Sequence, residues 1–143
     1  MTDFKVNNNE GDQLNFFVLY STSACHLCED ALVILNDLHE QMLELAKEQD
    51  KLLFIDFETT WCGPCRTMDL YVYTADVTVE AFNNILAVKI DGDENRELVK
   101  KYDVKAYPTM LILSPKGKII AKKVGYLSVK DIVAFINEAK NNL

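Results

Sequence analysis

The chain has 143 residues, of which 49% are hydrophobic and 26% charged, the balance of a globular protein that can bury a sizeable core. Its net charge of −7 argues against nucleic acid or an anionic membrane surface as a partner, because phosphate binding requires clustered lysine and arginine. Neither a membrane-spanning run nor a signal peptide is visible, so we expect a soluble, cytoplasmic protein, or an extracytoplasmic one whose signal peptide was removed.

The amino-terminal part combines a polar tail with a first strand and helix. Residues 1–15 predict a flexible tail, which leaves 16–143 as a single domain. The aromatic and β-branched run at 15–20, NFFVLY, predicts a buried strand. Apolar residues at spacings of three and four predict a long first helix over 29–50, with a bend or break left open.

The run KLLFIDF at 51–57 predicts a central strand covered on both faces. Its one carboxylate, Asp56, is therefore predicted to be buried, and a buried carboxylate needs a partner or a chemical role. A strand-end carboxylate that faces water is the alternative interpretation. A helix is expected at 66–73, and a further short helix or turn at 77–82.

The carboxyl-terminal half alternates strands and helices. Strands are predicted at 85–91, 107–113 and 119–124, and a helix at 95–102. Proline and glycine in SPKGK at 114–118 predict a hairpin turn, and Ser128 is the expected N-cap of a closing helix. This order of elements predicts an α/β fold in which helices cover both faces of a mixed sheet.

Four cysteines form two C-x-x-C pairs, Cys25/Cys28 and Cys62/Cys65, a spacing that indicates redox chemistry or metal binding. Cys62 is expected where a strand ends and a helix begins. The N–H groups and dipole at a helix start favour a thiolate, so Cys62 is predicted to attack a disulfide. Cys65, one turn later, is predicted to resolve the resulting mixed disulfide.

The residues between the two cysteines suit this geometry. Pro64 fits the first turn of a helix, and Gly63 permits the tight entry into it. Trp61, beside the attacking sulfur, is predicted to shape the surface that receives substrate, although it could be only a packing aromatic.

The stretch FIDFETTWCGPC at 54–65 resembles the thioredoxin family. The resemblance continues in AVKID at 87–91, YPT at 107–109 and KKVGYLS at 122–128, so it covers residues 40–143. It implies the thioredoxin fold, with a central mixed sheet of five strands, or of four plus an amino-terminal strand. It also implies a thiol–disulfide oxidoreductase.

The same resemblance implies roles for individual residues. Asp56 would accept the proton of the resolving cysteine, and Lys89 would pair with it, a solvated lysine at a strand edge being the alternative. Pro108 would be the cis-proline whose loop, with Gly63 and Pro64, faces an incoming peptide. Gly125 would let the substrate approach.

The resemblance implies protein disulfides as substrates, a recharging reductase as second partner, a monomer, and neither a metal nor an organic cofactor. Two departures from the family pattern stand out: Glu58 replaces a common aromatic residue, and Leu70 replaces a helix-kinking proline. The run YTADV at 73–77 is similar to the terminal domains of membrane thiol transporters and their small relatives. An extracytoplasmic reductase or isomerase fed by a membrane electron donor is therefore one alternative function.

Cys25 and Cys28 are the least constrained feature. The run LYSTSACHLCE at 19–29 resembles the opening of glutaredoxin-like proteins, which favours a second redox pair, whereas the acidic Glu29 and Asp30 disfavour a thiolate. One strand precedes each cysteine pair. If these two strands are parallel and one other strand lies between them, both pairs lie at the same edge of the sheet and could exchange disulfides as a relay. Two further alternatives are a redox-silent peptide-binding module and a four-sulfur zinc domain.

Overall fold

The computed structural model describes the backbone of residues 16–17 and 28–142 and the side chains of 39–142. The described strands are β1 (Phe16–Phe17), β2 (Leu53–Glu58), β3 (Leu86–Asp91), β4 (Thr109–Leu113) and β5 (Ile119–Val124). The described helices are α1 (Cys28–Gln49), α2 (Gly63–Thr67), α3 (Asp76–Ala81), α4 (Arg96–Lys101) and α5 (Val129–Asn141), and a π-helical turn, Met68–Val72, continues α2. The expected tail at 1–15 and most of the expected first strand lie outside these residues.

The five strands form one sheet in the order β1-β3-β2-β4-β5. The strands β1, β3 and β2 run parallel to one another, whereas β4 and β5 pair antiparallel. This is the mixed five-stranded sheet predicted from the sequence. Because β3 separates the parallel strands β1 and β2, their carboxyl ends lie at the same edge, as the relay hypothesis required.

Alternate residues of β2 face two different cores, since successive side chains of a strand point to opposite faces of the sheet. Leu53, Ile55 and Phe57 pack with residues of α1 and α4. Phe54 packs on the other face with residues of the π turn, α3 and α5. Asp56 is two residues from Phe54, so its side chain points to the same face of the sheet and lies beneath the α2 and π-turn segment.

Several element boundaries differ from the sequence predictions for local reasons. The helix α1 is one continuous element of 22 residues, so the break that was left open does not occur. The strand β4 begins at Thr109 rather than at residue 107, because Pro108 has no N–H to donate to the sheet. The helix expected at 66–73 consists of the end of α2 and the π turn, in which the Tyr73 N–H donates to the Met68 carbonyl over 2.9 Å.

The predicted turn and cap of the carboxyl-terminal half are confirmed. Gly117 has a φ of +85° in the β4–β5 hairpin, a conformation that glycine adopts without strain. The Ser128 hydroxyl accepts the Asp131 N–H at 3.2 Å and so caps α5. Across the helices of the described ranges, none combines the length and the apolar character needed to cross a bilayer.

Candidate active site

Cys62 and Cys65 are joined by a disulfide at the junction of β2 and α2, with their Cα atoms 5.3 Å apart. Cys62 is the N-cap of α2, and its Sγ accepts the Cys65 N–H at 3.2 Å. An N–H group in this position also favours a thiolate on Cys62 once the disulfide is reduced, because the start of a helix attracts negative charge. Both cysteines are largely buried, whereas Gly63 and Pro64 are exposed.

Trp61 forms an exposed surface beside the disulfide, with 68% of the side chain accessible. Its indole N–H donates to Asp93 Oδ2 over 2.7 Å. Its ring lies edge-on to Tyr107, with 5.9 Å between the ring centroids. These contacts fix the indole in place, and they bring the loop that contains Tyr107 next to the cysteine motif.

The Tyr107–Pro108 peptide bond is cis, as the resemblance implied. The Pro108 carbonyl accepts the Gly125 N–H at 2.8 Å. Gly125 has a φ of +92°, and a Cβ built there would meet no atom within 4 Å. Gly125 is therefore required by its backbone conformation, and the surface beside it is open to a ligand.

Gly92 supports the same loop and was not identified from the sequence. A Cβ at this position would lie 2.2 Å from the Tyr107 hydroxyl, so only glycine lets the Tyr107 ring take its place. The Gly92 N–H also donates to the Glu58 carbonyl at the end of β2. The run DGDEN at 91–95 signals a turn, but a turn signal does not reveal which side chain packs on it.

Asp56 is 1% exposed, which excludes the interpretation that it faces water. The Tyr73 hydroxyl donates to Asp56 Oδ2 over 2.9 Å, and Asp56 Oδ1 has no hydrogen-bond partner within the described part of the chain. Burial, helped by the nearby Glu58 charge, raises the pKa of Asp56 to about 6 against the opposing effects of Lys89, Tyr73 and Arg66. A carboxyl group with this pKa is suited to exchanging protons near neutral pH.

Lys89 is buried, so the solvated alternative is wrong. Its ammonium group donates to Asp69 Oδ1, lies 3.4 Å from Glu58 Oε2 and lies 3.8 Å from Asp56 Oδ2. Arg66 Nη2 completes the cluster, at 2.8 Å from Glu58 Oε2 and 3.4 Å from Asp69 Oδ2. Lys89 is therefore near Asp56, as predicted, but it donates its hydrogen bonds to Glu58 and Asp69.

Of this cluster, Asp69 and Arg66 were missed by the sequence prediction, and Glu58 was recognised only as a departure from the family pattern. Oxygens of Asp56, Glu58 and Asp69 lie within 4.8 Å of one another, a spacing that could also suit a metal ion. Two cations, Lys89 and Arg66, already contact these oxygens. The arrangement is consequently an ionic network that connects the buried Asp56 with the half-exposed Arg66.

The second cysteine pair stays a prediction. Cys25 lies outside the described residues, and Cys28 is described only as the first residue of the α1 backbone. The fold neither supports nor opposes a redox role for the Cys25/Cys28 pair, beyond placing the carboxyl ends of β1 and β2 at the same edge of the sheet.

The site places a C-x-x-C disulfide where the parallel strand β2 meets the helix α2, and a cis-proline loop lies beside it. These features define a thiol–disulfide oxidoreductase of the thioredoxin type. The family model described as Thioredoxin matches residues 31–138, and the chain belongs to this family.

Individual relatives agree with this assignment. The chain is 37% identical to Thioredoxin H2 of Arabidopsis thaliana over 55% of its own length and 56% of that protein's length. It is 33% identical to Thioredoxin H1 of the same plant, over 71% of this chain and 79% of that one. A poplar thioredoxin h structure superposes with a TM-score of 0.69 over 91% of this chain and 100% of its own, at 22% identity, which supports the fold.

Proposed function

We propose that the Cys62/Cys65 dithiol reduces disulfide bonds in protein substrates and is then recharged by a separate reductase. The observation that carries this proposal is the disulfide at the start of α2, with the Cys65 N–H directed at Cys62 Sγ. The exposed Trp61 and the open surface at Gly125 supply room for a polypeptide beside that sulfur. The protein acts as a monomer in this proposal.

The reaction proceeds in two exchanges. The Cys62 thiolate attacks one sulfur of the substrate disulfide, which forms a mixed disulfide and releases the other substrate sulfur as a thiolate. The Cys65 sulfur then attacks Cys62 Sγ, which forms the intramolecular disulfide and releases the second substrate thiolate. Two electrons pass from the dithiol to the substrate, so the two sulfurs carry the redox change with neither a metal nor an organic cofactor.

The second exchange requires that Cys65 lose its proton, and we assign Asp56 as the acceptor. Asp56 lies on the sheet face covered by the π turn that continues α2, the helix that carries Cys65, and it is shielded from water. With a pKa of about 6 it is mostly ionised at pH 7, yet it binds a proton far more readily than an exposed aspartate.

The alternatives are less well supported. A four-sulfur zinc site would need both Cys62 and Cys65 as separate thiolates, whereas they are joined here. No described feature favours a redox-silent module or an extracytoplasmic isomerase. The cytoplasmic location expected from the sequence stays a prediction.

The proposal is tested by trapping and by turnover. Cys65→Ser should accumulate mixed disulfides on Cys62 with protein substrates, detected as species that a reductant releases, and the Cys62→Ser/Cys65→Ser double variant is the matched control. Cys62→Ser should abolish reduction of insulin disulfides. Insulin reduction by Cys62→Ser within about twofold of the wild-type rate would contradict the assignment of the nucleophile.

A further inference from the structure

The Lys89 ammonium group does not hydrogen-bond Asp56, although the strand register places the two residues side by side. Asp56 and Lys89 are direct register partners on the adjacent strands β2 and β3. Adjacent strands lie about 4.8 Å apart, so the Lys89 side chain is long enough to hydrogen-bond the Asp56 carboxylate. Instead its Nζ remains 3.8 Å from Asp56 Oδ2, beyond the usual range for a hydrogen bond, and donates to Asp69.

The partners of the cluster can be assigned from these distances. Arg66 forms its shorter contact with Glu58, and Lys89 donates to Asp69 and, at 3.4 Å, to Glu58. Among the described side chains, three carboxylates therefore face two cations, and the carboxylate left without a hydrogen-bonded cation is Asp56. Asp56 accepts a hydrogen bond from the neutral hydroxyl of Tyr73 instead.

We propose that Asp69 is a positioning residue for the second exchange: its carboxylate holds the Lys89 ammonium away from Asp56 and thereby keeps Asp56 basic enough to take the Cys65 proton. Asp69 is well placed for this role, because it belongs to the π turn that covers Asp56 and lies within 3.4 Å of Arg66. The inference rests on the proposed role of Asp56 as proton acceptor.

Removing the Asp69 charge should allow Lys89 to move onto Asp56. A cation in direct contact stabilises the ionised carboxylate and lowers its pKa by about one unit or more. The experiment follows the Asp56 side-chain carboxyl carbon by NMR between pH 3 and 9 in the oxidised protein, so that no turnover is involved. Asp69→Asn should move the midpoint down by about 1 pH unit from its wild-type value of about 6.

Glu58→Gln is the matched control, because it also removes one negative charge from the cluster but leaves the Lys89–Asp69 contact in place. Because the Glu58 charge also raises the pKa of Asp56 directly, this variant measures the shift produced by simple loss of a nearby charge, and that part of the shift should persist when Lys89 is replaced. An unchanged or raised midpoint in Asp69→Asn would overturn the proposal.

A double-mutant cycle tests whether Asp69 acts through Lys89. In a Lys89→Met background, Asp69→Asn should produce less than a quarter of the shift that it produces in the wild-type background. An undiminished shift would contradict the proposal. If Lys89→Met does not fold, the midpoint of Asp69→Asn in the wild-type background decides the question.

Turnover separates this inference from the proposed function. The rate of the second exchange at pH 7 should fall by about threefold in Asp69→Asn, as expected for a base weakened by one pH unit with partial proton transfer. If Asp56→Asn does not slow this step, the role of Asp56 as acceptor is wrong, whatever the titration shows. If Asp56→Asn does slow it but the titration midpoint is unaffected by Asp69, only the positioning role is wrong.

Discussion

Replacing Asp56 with asparagine should stabilise the protein, and the gain should depend on pH. The Asp56 carboxyl has a pKa of about 6 in the folded protein and an ordinary value of 3.8. Between pH 3.8 and pH 6 the folded protein therefore keeps a proton on Asp56 that the unfolded chain has already released. The contribution of this proton to the free energy of unfolding is fully present below pH 3.8 and is lost as the pH rises through 6. Asparagine has no proton to lose, and it can still accept the Tyr73 hydrogen bond.

The size of the gain follows from the same two values. Linkage gives a difference in the free energy of unfolding of about 0.5 kcal/mol at pH 4, about 1.6 kcal/mol at pH 5 and about 3 kcal/mol at pH 7 and above. Lys89 retains its contacts with Asp69 and Glu58 in the variant, so its charge is not left unpaired. The stability gain is therefore not cancelled by an isolated buried cation.

The measurement is urea denaturation of both oxidised proteins at five pH values between 4 and 8. Asp50→Asn is the matched control, because it makes the same chemical change at an exposed position whose φ of +52° asparagine also adopts readily. A stability difference that does not grow between pH 4 and 7, or an Asp56→Asn protein that is less stable than wild type at pH 7, would refute the reasoning.

Three further predictions concern the surroundings of the site. Gly92→Ala should displace the Tyr107 ring, lower the free energy of unfolding by about 1–3 kcal/mol and change the fluorescence of the single tryptophan. Gly63→Ala is the steric control, because its Cβ would meet no atom within 4 Å, and an unchanged spectrum in Gly92→Ala would contradict the clash. Ser128→Ala should cost about 1 kcal/mol in denaturation experiments by removing the α5 cap, and equal stability would show that the cap is dispensable. Cys28→Ser should alter turnover with some partner disulfides without changing stability, and identical rates with every disulfide tested would leave the second pair without a redox role.

Local patterns in the sequence predicted the strands and a mixed sheet, and the family resemblance added the dithiol chemistry of Cys62 and Cys65. The apolar run of β2 gave both the central strand and the burial of Asp56, because a strand covered on two faces has no exposed positions. The serine before α5 and the glycine of the β4–β5 hairpin likewise act through their immediate neighbours. These features depend on residues close together in the chain, so they can be recognised without a structure.

The ionic cluster could not be predicted in the same way. It joins β2, β3 and the segment after Cys65, and the charged residues of a short helix do not reveal which of them face inward. Asp69 turns towards Lys89 from a π turn, whose geometry departs from the period assumed in sequence analysis. The family resemblance paired Lys89 with Asp56, and nothing in the sequence pointed to Asp69, to which Lys89 also donates.

The π turn also sets the alignment between the two halves of the site. A π turn holds one residue more than an α-helical turn, and each residue of an α-helix advances the helix by about 100°. If the same residues were wound as an α-helix, Tyr73 would be rotated by about that angle away from its position beside Asp56. The winding of this segment is thus itself a functional property: the same sequence wound as an α-helix here would lose its hydroxyl donor to the buried carboxylate.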